Sequence, residues 1–192
     1  MNIFPTTARS AGLLLLVALS AATAQAEQKL LPAQSEITFV SKQMGVPVEG
    51  RFKKFDAQIA FDPSKPQSGK IAFTIDIASV TLGSPEPDAE LPKAPWFNTA
   101  KFPQATFQSS SIKGLGGGKF EVSGKLAIKG NTQDAVIPVT LVQAGPSTTA
   151  SGVFTIKRLS YKIGENEWAD TAMVADDVQV KFKLTLTGVA KF

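Results

Sequence analysis

The chain has 192 residues, 43% of them hydrophobic, and a formal net charge of +4. It contains no cysteine and no histidine, which excludes disulfides, iron–sulfur ligation, C-x-x-C-H haem attachment, a thiol nucleophile, Ser-His-Asp catalysis and the common zinc sites. Its lysines are spread along the chain, so the charge describes a solvated basic exterior and gives no nucleic-acid footprint.

The first element is a leader. MNIFPTTARS carries Arg9 and no acid, AGLLLLVALSAA is an apolar run, and Ala24-Gln25-Ala26 is a small-x-small ending. Together they read as a secretory signal peptide over residues 1–26. The run is too short to span a bilayer core and has no charged stop, so stable membrane insertion is not expected. Residues 27–192 then form one exported domain, placed in a bacterial periplasm. Loss of Arg9 leaves a charge of +3, from 19 basic and 16 acidic residues.

Eight segments of the mature chain alternate apolar and polar residues with period two, the signature of strands with one dry and one wet face. In order they are EITFVSK, DAQIAFDP, KIAFTIDIASV, QATFQSSSIK, GKFEVSGKLAIKG, DAVIPVTLV, GVFTIKRL and DDVQVKFKLTLTGV. Gly, Pro, Asn or Asp bounds each one. KQMGVPVEG and FDPSKPQSGK read as loops, GLGGGK as a hairpin, Gly130-Asn131 and AGPSTTA as turns. In RFKKFDAQIAF, Phe52 and Phe55 are three apart, which breaks alternation and predicts a bulge or strong bend. A short helical excursion is expected near residues 86–98, crowded by Pro85, Pro87, Pro92 and Pro95. Two all-β architectures fit, a sandwich and a closed up-and-down barrel. Long strands that each carry a wholly apolar face favour an eight-stranded antiparallel barrel, whose interior side chains just fill or which holds one small ligand.

The inward parity makes Phe39, Phe73, Ile75, Phe107, Phe120 and Phe182 the residues that either meet in the middle or line a tunnel, with Phe52 at the bend. Arg158, Tyr161 and Trp168 cluster in TIKRLSYKIGENEWAD and suggest a barrel mouth. Arg51 and Arg158, the two arginines of the mature chain, are each read either as a head-group fork or as a surface ion pair or structural brace. Met44, in the loop KQMGVPVEG, reads as a gate or a plug. Enzyme readings find no support. Glu165, Glu167, Asp170, Asp176 and Asp177 do not follow a calcium-loop spacing. GLGGGKF lacks Ser or Thr after Lys119 and leads into a strand, so it is no phosphate loop.

Taken in order, SEITFVSKQMGVPVEGRFKKFDAQIAFDP, WFNTAKFPQATFQSSSI, GKLAIKGNTQDAVIPV and GVFTIKRLSYKIGENEWADTAMVADDVQVKF resemble the YceI family across the mature chain. The resemblance implies a lipocalin-like barrel whose long apolar cavity holds polyisoprenoid or another long-chain amphiphile. It places Trp96 and Phe97 near one end of that cavity and Phe107 on its wall. Many members carry histidine near the positions of Gln34 and Gln43, where this chain has none, so a head-group contact of that kind is not carried over. The expected function is a periplasmic, non-enzymatic binder of isoprenoid, quinone-like or fatty acid or amide lipids, with no cofactor. The alternative is a filled barrel acting on an envelope partner through its outer surface. The sequence leaves a homodimer open.

Overall fold

The computed structural model describes residues 27–192; the segment read as a signal peptide lies outside the described residues. Eleven strands form one sheet: β1 (Lys29–Leu30), β2 (Glu36–Gln43), β3 (Val46–Phe52), β4 (Phe55–Ala60), β5 (Lys70–Asp76), β6 (Val80–Thr81), β7 (Gln104–Gly116), β8 (Lys119–Ile128), β9 (Asn131–Ala144), β10 (Ser147–Lys157) and β11 (Asp177–Thr187). The spatial order is β4-β5-β7-β8-β9-β10-β11-β2-β3-β6, with β1 also on β11. Every pairing is antiparallel. The fold is all-β, as expected, and its curled antiparallel sheet is consistent with the lipocalin-like expectation. The expected count of eight strands is corrected to eleven.

The additional three have physical causes. Val46–Phe52, read as part of a loop, is a strand because Met44-Gly45 is a two-residue turn, both residues having positive φ. Pro47 masked it. Proline is tolerated there because β6 pairs β3 only at Arg51 and Phe52, so most of β3 is an edge. β1 and β6 have two residues each, too few to show a period. The expected bend at Phe52–Phe55 is present: β3 stops at Phe52, Lys53 and Lys54 turn, and β4 begins at Phe55. Ser79 holds this corner, its Oγ accepting from the Lys53 and Lys54 N–H groups.

The sheet curls into a half-barrel, and the ladder does not close all round. β4 pairs only with β5. Its far side meets the chain just before β1 through one side chain. The Gln28 amide donates to the Phe61 carbonyl (2.6 Å) and accepts from the Phe61 N–H (2.9 Å), in the place of a backbone pair. β9 and β10 pair only from Thr140–Ala144 to Ser147–Ser151. Beyond that point Pro138 lacks the donor that a ladder needs, and the Asn131 and Gln133 side chains bridge to the Tyr161 and Ser160 carbonyls instead.

The turn between β8 and β9 is Lys129-Gly130 (φ 48° and 74°), one residue earlier than the Gly130-Asn131 pair suggested. The helical excursion is also shorter than expected: α1 spans Pro85–Glu90, six residues. Pro92 and Pro95 stop it, and residues 91–101 continue as turns, with Phe97 N–H donating to Leu91 O and Phe102 N–H to Asn98 O. Asp88 fastens α1 to the sheet by accepting from the Thr81 hydroxyl and the Leu82 N–H, and these bonds hold its carboxyl below the usual carboxylate range.

Candidate functional site

The curled sheet puts one parity of each strand inside. On β11, Val178, Val180, Phe182 and Leu184 point inward while Gln179, Lys181 and Lys183 are exposed. In a barrel filled by its own side chains such inward residues would be fully buried. These four are only half-buried, because the space they face is open.

That space has two chambers. The first, about 250 Å³, lies under α1 and the 158–174 loops. The second, about 160 Å³, lies toward the other end of the half-barrel, against Phe61, Phe120, Leu141 and Val189. Ile37, Ile75, Leu126, Phe154 and Val180 line both and form the waist between them. Of the residues singled out from sequence, Phe39, Phe52, Ile75, Trp96, Phe97 and Trp168 line the first chamber, together with Arg158. Phe73, Ile75, Phe107, Phe120 and Phe182 line the second. Met44 and Tyr161 line neither. Met44 sits on the β2–β3 turn with 74% of its surface exposed, and Tyr161 is buried at 3% in the core. Val48, Leu82, Leu91 and Ile156 were not singled out, yet they line the first chamber. For Ile156 the signal was the parity of its strand. For Leu82 and Leu91 there was none, since both lie in loops.

The phenylalanines leave the lumen open because the opposite strand makes room for their rings. Phe39 faces Gly50 across β2–β3, and Phe182 faces Gly152 across β11–β10. A Cβ at Gly50 would stand 2.2 Å from the Phe39 ring, at Gly152 2.5 Å from Phe182, and at Gly124 2.6 Å from Phe107. Each ring therefore occupies the side-chain space its neighbour lacks, and lies along the wall. Other aromatics pair along the walls: Phe52 meets Phe39 (5.5 Å) and Phe97 (6.4 Å), Phe55 stacks on Phe73 (5.9 Å), Phe61 meets Phe120 edge-on (5.2 Å), and Trp96 and Trp168 tilt together (5.4 Å) on the first chamber's wall.

Two buried cations hold the end of the barrel around the first chamber. Arg158 is 1% exposed. Its Nε donates to Ala175 O, one terminal nitrogen to Ile163 O and Gly164 O, and the other to Trp168 O and Val174 O, at 2.6 to 3.1 Å. All five N–H groups of the guanidinium are thus used on backbone carbonyls. Burial pushes its pKa down, with Asp176 opposing. Of the two sequence readings, the brace describes Arg158, and it has no donor left for a head group. Lys129, missed by the sequence reading, reaches the Ala94, Pro95 and Lys162 carbonyls and the Glu165 carboxylate (2.8 Å). That bond holds the Glu165 carboxyl below its ordinary value.

The acidic region is likewise engaged. Asp176 accepts from the Leu159 N–H, Asp177 pairs with Lys157, and Asp170 caps Ala172. Among the described residues no group of three or more His, Cys, Asp or Glu could hold a metal ion, and no helix is long and apolar enough to cross a membrane.

The crystal structure of Burkholderia cenocepacia BcnA has this architecture, with a TM-score of 0.79 and 47% identity, covering 81% of this chain and 98% of that one. A domain of Saccharophagus degradans described as polyisoprenoid binding and implicated in plant cell wall breakdown shares the fold, with a TM-score of 0.69 at 20% identity, over 84% of this chain and 98% of that one. A UPF0312 protein of Azotobacter vinelandii is 34% identical over 96 residues, and the match spans half of each chain. Residues 29–186, from the start of β1 to the penultimate residue of β11, match the YceI-like domain. With the curled sheet, the apolar lumen and the ordered motifs all inside that match, the chain belongs to the YceI family.

Proposed function

We propose that the protein is an exported, non-enzymatic carrier of long apolar amphiphiles, held with the chain along the lumen and the head group toward α1. The observation that carries this reading is the unfilled apolar channel of two chambers joined at a waist. Its walls fit a flexible hydrocarbon and offer almost nothing polar. Ten buried methylenes at ~0.8 kcal/mol each give roughly 8 kcal/mol before the costs of ordering the chain and losing its freedom, so a longer chain reaches about micromolar affinity. The polyisoprenoid binding named for the Saccharophagus degradans domain is consistent with this class. The filled-barrel alternative would need the inward phenylalanines to meet in the middle, and their positions over glycine speak against it.

The test uses the two tryptophans, Trp96 and Trp168, both on the first chamber's wall. Titrating purified protein with a prenyl alcohol should shift their emission saturably at about one ligand per chain. Emission unchanged at concentrations well above micromolar, with the protein folded, would refute the carrier reading.

A further inference from the structure

The channel's charge inventory says what kind of head group it accepts. Among the residues lining the two chambers, Arg158 is the single cation and Glu90 the single acid. Arg158 is spent on five carbonyls. Lys129, close behind the same loops, is spent on three carbonyls and Glu165. Strand parity turns Lys42 and Arg51 away from the lumen. Lys42 lies between the lining residues Ser41 and Gln43, and Arg51 precedes the lining Phe52. Glu90 adds negative potential at the rim, partly offset by its partner Lys93. An anionic head group would therefore leave water with no counter-charge to receive it, which is costly.

Two neutral polar side chains are differently placed. Ser41 and Gln43 sit on the inward parity of β2 and line the first chamber. No hydrogen bond among the described residues engages either side chain, and Gln43 is exposed, at the solvent end of its strand. A hydroxyl and a carboxamide can both donate and accept, which suits a carbonyl, amide, ester or alcohol.

We propose that the channel selects amphiphiles with uncharged, hydrogen-bonding head groups, received by Ser41 and Gln43, over the same chains bearing a carboxylate or pyrophosphate. This rests on the lumen being the lipid site. The experiment is competition, followed by native mass spectrometry, between a long-chain fatty amide and the fatty acid of identical chain. It is run at about pH 8, where a carboxyl of ordinary pKa near 4 is ionised, and repeated with a prenyl alcohol and its pyrophosphate. The neutral partner should bind at least about tenfold tighter in both pairs. Gln43→Lys, which places a free cation at an exposed strand end, should narrow that ratio several-fold. Equal or tighter binding of the anionic partners overturns the proposal while leaving the carrier reading intact. Binding of neither partner overturns both. A neutral preference that Gln43→Lys leaves untouched overturns the role given to Gln43.

Discussion

The arrangement of phenylalanine over glycine makes a sharp prediction at Gly50. Alanine there would place its Cβ 2.2 Å from the Phe39 Cζ and 2.7 Å from both Cε atoms, with no backbone atom among the three nearest. Non-bonded carbons prefer about 3.5–4.0 Å, so the ring must move by roughly 1.3 Å or more. The open space beside the ring is the first chamber, which Phe39 lines. Because the ring moves into open space, the stability cost should sit near the low end for overpacking, ~1 kcal/mol. The channel then loses room for about one or two methylenes, worth ~0.8 kcal/mol each, which corresponds to roughly a 4- to 15-fold weaker prenyl alcohol. Urea unfolding gives the first quantity and displacement of a fluorescent fatty probe the second. A Gly50→Ala variant that is folded and takes up ligand as the native protein does would refute the idea that this ring lies along the wall because its neighbour lacks a Cβ. Gly124→Ala and Gly152→Ala are expected to fare worse, since there the new Cβ would also meet a backbone carbonyl oxygen at 2.2 Å.

Arg158→Met should lower stability to urea by at least about 3 kcal/mol, because five carbonyls lose their donors in a buried place; Arg158→Lys, with three donors, should recover part of it. Glu165 has its pKa lowered from 4.5 in the folded protein by the Lys129 hydrogen bond, so its contribution is present above pH 4.5 and is lost as the pH falls below that through the folded value. Screening at a side chain 45% exposed keeps that contribution under about 1 kcal/mol, and Glu165→Gln should flatten this portion of the acid side of the stability profile. Phe73→Trp and Phe107→Trp, on the second chamber's wall, should reduce uptake of long chains more than of short ones while leaving the fold intact by circular dichroism. Protein recovered from a bacterial periplasm should have the mass of a chain beginning at Glu27; the mass of the full chain would refute the signal-peptide reading.

Much of the fold was legible because a half-buried strand writes its geometry into alternate residues. β11 displays this over its whole length, and Phe52–Phe55 marked the corner between β3 and β4. What failed to show was whatever lacks a period. β3 carries a proline, β1 and β6 are two residues long, and the loops bearing Leu82 and Leu91 reach the chamber through tertiary placement alone. Among the site residues, the strand aromatics were readable from parity. Met44 was misplaced because a loop was inferred where a tight turn stands, which leaves its side chain at the tip, in solvent. Arg158 was recognised as unusual, but a sequence gives an arginine's presence and not its acceptors. The five carbonyls come from the 163–175 stretch, and only the fold brings them together. Lys129 was invisible for the same reason. Whether the lumen was filled turned on Gly50, Gly124 and Gly152, which the sequence did not mark out and which act in the structure as seats for aromatic rings.

The most direct test of the open channel is to purify the protein gently from a bacterial periplasm, record its intact native mass, and identify by mass spectrometry what an organic solvent extracts from it. A long-chain species at about one per chain, absent after extraction and carrying an uncharged head group, is the expected result. A native mass equal to that of the bare chain, with no lipid enriched in the extract, would contradict the carrier function.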